Sequence, residues 1–124
     1  MKYYCEIVPF ELAKKLKDAG YKEECSGHYA KDGYLWETHP KQNSNDTENF
    51  FSAPTYAEVF DWLIEKKLVI EMNHLSDKTW IVSLYDNTII GIPNQGFIAH
   101  FKKITFHEAA NAAIEKACEI LKEK

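Results

Sequence analysis

The 124-residue sequence has no basic excess: its 15 lysines and arginines face 19 acidic residues, for a net charge of -4. A surface that binds duplex nucleic acid usually shows as surplus positive charge, so these totals disfavour one. No apolar run approaches the length of a membrane-spanning helix. The opening stretch, MKYYCEIVPFELAKK, is interrupted by Glu6 and Glu11 and lacks the apolar segment of a signal peptide. Cysteine is scarce and odd in number. Cys5, Cys25 and Cys118 stand at unrelated spacings, which disfavours a disulfide framework and predicts a cytoplasmic protein with reduced thiols.

Chemical motifs are missing too. GIPNQG, at positions 91–96, has no lysine or serine after it and leads into a strand, so it is not a phosphate loop. NSND, at 43–46, carries oxygen donors without the spaced acidic pattern of a calcium loop. Neither Ser44 nor Ser52 lies in a G-x-S-x-G elbow that would make it a nucleophile for a nearby histidine. Cys25-x-x-His28, joined by Cys5 and His39, offers four zinc-ligand types, but the spacing is irregular and contains no close C-x-x-C or H-x-x-x-H pair. Cys25 with His28 or His39 as base would need a stabilised thiolate and an orienting third group, and no glycine-shaped turn or oxyanion feature supports one. The acidic residues Glu23, Glu24, Asp46 and Glu48 fall in turns and loops, where solvated surface is the default. No enzyme, cofactor or metal is expected.

What is present is fold information. The chain is 45% hydrophobic and 14% aromatic, enough for a packed core in one domain. Pro9 and Gly20 bracket a helix over Phe10 to Ala19, with Phe10, Leu12, Ala13 and Leu16 on one face and Lys14, Lys15 and Lys17 on the other. Lys31-Asp32-Gly33 between HYA and YLWET predicts a β-hairpin with aromatics on both arms. KQNSNDTENFFS is polar and aperiodic, the pattern of a mobile loop.

Thr55 and Glu58 then form a capping box for a helix whose buried stripe is Tyr56, Val59, Phe60, Leu63 and Ile64. Lys67 closes it. Leu68, Ile70 and Met72 alternate with Val69, Glu71 and Asn73, as a half-buried strand requires. Trp80, Val82 and Leu84 make one face of the next strand. A short strand is expected over Thr88 to Ile92 and a firmer one over Phe97 to Phe101. A second capping box, Thr105 with Glu108, opens a helix lined by Phe106, Ala110, Ala113, Ile114, Ala117, Cys118 and Leu121. The predicted architecture is a single α+β domain over residues 1–124. It has a helix and hairpin in 1–39, a loop in 40–53, and a core in 54–124 whose antiparallel sheet of three or four strands carries helices on one face.

Two resemblances accompany this reading. ELAKKLKDAGY, SAPTYAEVFDWL and EAANAAIEKACEIL, in this order, resemble segments of a group of small uncharacterised proteins from Bacteroidetes bacteria and their phages. That implies a phage or mobile-element origin and carries no activity to any residue. The helix–three-strand–helix order of the C-terminal half is similar to the double-stranded RNA-binding domain, whose last helix opens with K-K-x-A-K-x-x-A-A. Ala109 and Ala113 fit its packing alanines. Phe106, His107 and Ala110 stand where its phosphate-binding lysines belong, so the resemblance keeps the packing half of the motif and lacks the charged half.

The remaining functional signal is aromatic. Tyr29, Tyr34 and Trp36 on the hairpin, with Phe50, Phe51 and Tyr56 nearby in sequence, either anchor a partner or lid the core. The sequence therefore points to a small non-enzymatic binding or adaptor protein acting on a protein partner or on itself through Tyr29, Tyr34, Trp36, Phe50 and Phe51. Nucleic-acid binding is the alternative.

Overall fold

The computed structural model describes residues 2–86 and 97–123, the side chains at positions 2 and 38–40 excepted. The expected strand over Thr88 to Ile92 lies outside the described residues. The fold is α+β, and the chain divides into two compact units: residues 1–59 with 118–124, and residues 60–117.

In the first unit, a 3-10 turn (Lys2–Cys5) precedes helix α1 (Phe10–Asp18). Pro9 stands at its N-cap in extended conformation, and Leu12, Ala13 and Leu16 are buried. The helix stops on Gly20, at φ 97°. Gly20 N–H donates to Lys17 O at 3.1 Å and Tyr21 N–H to Leu16 O at 3.0 Å, the paired bonds of a Schellman stop.

Strands β1 (Cys25–Ala30), β2 (Leu35–Gln42) and β3 (Phe50–Ser52) follow, forming an antiparallel sheet in the order β2-β1-β3. The hairpin between β1 and β2 turns on Gly33, at φ 88°, whose N–H donates to Ala30 O at 2.9 Å. Asp32 Oδ1 accepts from Tyr34 N–H at 3.0 Å and steadies the turn. The stretch expected as a loop over 40–53 contains the end of β2, a 3-10 turn at Ser44–Asp46 and all of β3. Its polar residues hide the strand from periodicity because they bond backbone. Asn45 Oδ1 accepts from Ser52 N–H at 2.8 Å, and Asn45 Nδ2 donates to Tyr21 O at 2.7 Å.

The first residues of the chain are bonded to the segment before helix α2 (Tyr56–Glu65). Ile7 bridges Thr55 antiparallel, Val8 N–H donates to Pro54 O, and Tyr56 N–H donates to Glu6 O, each of the last two at 3.0 Å. The expected capping box forms in full: Thr55 N–H donates to Glu58 Oε1 at 3.0 Å and Glu58 N–H to Thr55 Oγ1 at 3.2 Å.

In the second unit, α2 ends on Lys67 in the left-handed conformation, φ 68°, and Leu63 is fully buried. Strands β4 (Leu68–His74), β5 (Trp80–Asp86) and β6 (Phe97–Lys103) form a second antiparallel sheet, β4-β5-β6. Trp80, Val82 and Leu84 of β5 are buried while Ile81, Ser83 and Tyr85 are half-buried, the alternation read from the sequence. Helix α3 (Phe106–Lys122) sets Phe106 edge-on to Trp80, with ring centroids 5.3 Å apart. Ala109, Ala110, Ala113 and Ile114 are fully buried, as a small-residue stripe against neighbouring elements requires. Its cap is the expected Thr105–Glu108 pair, with Glu108 N–H donating to Thr105 Oγ1 at 3.1 Å.

Candidate functional site

Cross-strand pairs assign the faces of the first sheet, because directly opposed residues share a side. Tyr29 pairs with Leu35 and with Phe51; His28 pairs with Trp36 and with Ser52. The two sets alternate, so one face carries Tyr29 and Phe51 and the other carries His28 and Trp36. Phe10 of α1 covers the first. Its ring meets Tyr29 at 5.3 Å and Phe51 at 5.7 Å, both edge-on. Tyr29 is buried there, donating its hydroxyl to Val8 O at 2.7 Å. Tyr29 and Phe51, expected at a binding surface with the other aromatics, are placed on the helix-covered face. Tyr56 is also buried.

The opposite face is open. It holds a hollow of about 420 Å³ with Trp36 and Phe50 on its wall and His28, Gln42, Asn43 and Ser44 among its polar lining. That volume falls in the lower part of the range of small-molecule sites. Trp36 is 55% exposed and Tyr34 61% exposed, their rings 5.1 Å apart and tilted. Of the expected aromatics, the structure brings Tyr34, Trp36 and Phe50 to this face.

The polar end of the hollow is built by the 43–47 segment. Asn43 Oδ1 accepts from Asn45 N–H at 3.1 Å, and Ser44 N–H donates to Ser52 Oγ at 3.1 Å, which fixes Ser44 over β3. Lys17 of α1 reaches round to hold the same segment, its ammonium donating to Phe50 O at 3.0 Å and to Thr47 O. Ser44 Oγ hydrogen-bonds His28 Nδ1. His28 is 3% exposed, and burial depresses its pKa below the ordinary histidine value, so the ring is neutral at pH 7.

This serine–histidine pair joins two residues that no sequence motif connects. Their spacing follows no motif. The only local signal was Asn-x-Asn at 43–45, an Asx-turn pattern that a polar loop conceals. An oxyanion hole needs unengaged N–H groups beside the nucleophile, and the N–H groups of Ser44, Asn45 and Thr47 are taken by Ser52 Oγ, Asn43 Oδ1 and Ser44 O.

Cys25 is buried, and its thiol donates to Gly27 O at 3.2 Å. Desolvation by burial raises its pKa, with an opposing hydrogen bond from Ser52, so the thiol form dominates. Cys5 is exposed and Cys118 buried, all three cysteines free. The side chain of His39 lies outside the described residues. Among the described residues, no three of His, Cys, Asp and Glu converge as metal ligands.

No protein-family model, curated protein or solved structure matches this chain.

Proposed function

We propose that this chain is a non-catalytic binding protein that engages a protein partner through the open face of the β2-β1-β3 sheet. Tyr34, Trp36 and Phe50 are its anchors. One observation carries the reading: Trp36, 55% exposed, stands on the wall of a hollow whose described lining holds no carboxylate or ammonium group, and Tyr34, 61% exposed, has its ring 5.1 Å from that of Trp36. Exposed, clustered Trp and Tyr are the residues that dominate binding energy when a partner desolvates them, each contributing about 2 kcal/mol or more. The His28–Ser44 pair lies at the hollow with the neighbouring amides of Ser44, Asn45 and Thr47 already engaged, which favours holding a ligand over transforming one.

The phage or mobile-element origin and the cytoplasmic setting belong to the same proposal. Genes beside this one with phage functions would support the first. Among the described residues no helix is long and apolar enough to cross a membrane.

The test compares wild type with Trp36→Ala and Tyr34→Ala in affinity capture and in light-scattering mass. Both substitutions lie at exposed positions, so circular dichroism stays native. Loss of the same captured partner, or of self-association, supports the proposal. Unchanged capture and mass in both variants ends it. A salt-sensitive complex with double-stranded RNA that survives both substitutions would put nucleic-acid binding in its place.

A further inference from the structure

Which partner group the hollow takes follows from what its lining can satisfy. The lining offers aromatic surface from Trp36 and Phe50, amides from Gln42 and Asn43, and the Ser44–His28 pair. Among the described lining residues none offers a carboxylate or an ammonium the opposite charge, so either would lose water without that compensation, a cost of several kcal/mol in general terms. Two lysines of this unit are already engaged: Lys41 faces Glu58 at 3.6 Å, and Lys17 is held by two carbonyls. These described groups suit an uncharged occupant.

The wall is mostly apolar. That disfavours a sugar, whose many hydroxyls would outnumber the polar groups facing it, and favours a flat ring with a single polar tip. The tip is specified by hydroxyl chemistry. If Ser44 donates to His28 Nδ1, its oxygen keeps an acceptor site; if His28 donates, Ser44 keeps its proton. A phenol hydroxyl both donates and accepts, so it completes either arrangement. An indole N–H only donates, and a phenyl ring does neither.

A second observation fixes the form of the partner. In the order β2-β1-β3, β2 is an edge strand, and among its described side chains Trp36 and Gln42 line the hollow. An extended segment can add to such an edge through backbone hydrogen bonds, with alternate side chains falling on the same face.

We infer that the hollow is a socket for one tyrosine side chain of an extended partner segment, its ring against Trp36 and Phe50 and its hydroxyl on Ser44. This inference rests on the proposed binding function and names the recognised group.

The probes are blocked pentapeptides of β-prone residues with tyrosine, phenylalanine, tryptophan or phosphotyrosine at the centre, titrated against 15N-labelled protein. The expected result is that the tyrosine peptide shifts the Trp36 indole resonance and binds about tenfold tighter than the phenylalanine peptide, consistent with one added hydrogen bond. Phosphotyrosine is rejected. Ser44→Ala brings tyrosine and phenylalanine to equal affinity, and Trp36→Ala abolishes both. The conservative variant Ser44→Thr, which keeps the hydroxyl, restores the preference and separates this role from a structural one.

Equal binding of the tyrosine and phenylalanine peptides by wild type would overturn the inference, as would a tyrosine preference that persists in Ser44→Ala. No peptide binding at millimolar concentration, or tighter binding of maltose or cytidine than of the tyrosine peptide, would also overturn it. A partner lost in Trp36→Ala with no tyrosine preference would refute the socket and leave the binding function standing. A tyrosine preference with no partner lost in Trp36→Ala would do the reverse.

Discussion

Replacing Gly27 with alanine tests the packing that holds β1 against the segment entering α2. A Cβ at this position would lie 2.5 Å from the Ala53 carbonyl oxygen, 3.1 Å from Ile7 Cδ1 and 3.2 Å from Ala53 Cβ. The isoleucine tip can swing aside, but the carbonyl cannot retreat cheaply. Ala53 N–H donates to Gly27 O at 2.8 Å, so the same two residues are tied together where they would need to part. Overpacking of this kind costs about 1–3 kcal/mol, and weakening the bond adds about 1 kcal/mol. Reduced freedom of the unfolded chain returns about 0.4–1 kcal/mol. The net expectation is a loss of about 1–3.5 kcal/mol, measured by urea unfolding followed by far-ultraviolet circular dichroism. Gly20→Ala is the control: nothing lies within 4 Å of its added carbon, and only the left-handed φ of 97° resists the change, at a cost of about 1 kcal/mol. If Gly27→Ala proved no more destabilising than Gly20→Ala, the close approach of Ala53 would not be setting the residue at position 27.

Removing the side chain of Thr55 with alanine breaks one half of a reciprocal cap and should cost about 1 kcal/mol in the same unfolding assay. Thiol labelling under native conditions should modify Cys5 quickly and leave Cys25 and Cys118 slow, giving one fast equivalent by mass spectrometry and three after denaturation. His28 has a folded pKa depressed by burial, so its contribution to stability is complete above the ordinary value of about 6.5 and is lost as pH falls through the folded pKa. The urea midpoint should therefore drop more between pH 7.5 and 5 for wild type than for His28→Gln.

Local periodicity made the elements bounded by strong signals legible before any coordinates. Thr55 and Thr105 announce two helix starts, and the alternation of Trp80, Val82 and Leu84 sets the face of β5. The hairpin at Lys31-Asp32-Gly33 was readable because only a few turn chemistries serve that geometry. What stayed hidden depends on residues far apart in the chain. β3 is three residues long and gains its place by pairing with His28, Tyr29 and Ala30, which no short window reveals. The aromatic residues were found as a group, but their division between faces is a matter of pairing register. Neighbours such as His28 and Tyr29 point opposite ways, and only the partners across the sheet say which way is outward. The Ser44–His28 contact has the same origin: it spans sixteen positions and is created by β3 and the Asn45 bonds that lay Ser44 over β1.

The bridge between Ile7 and Thr55 has a kinetic meaning. On the ribosome, residues 6 to 8 precede residues 54 to 56 by nearly fifty positions, and their backbone groups stay hydrated until the later segment emerges. Closing so wide a loop slows a chain more than it weakens it, since the entropic toll grows only with the logarithm of length. The bridge between these two segments would therefore close long after the hairpin could have zipped.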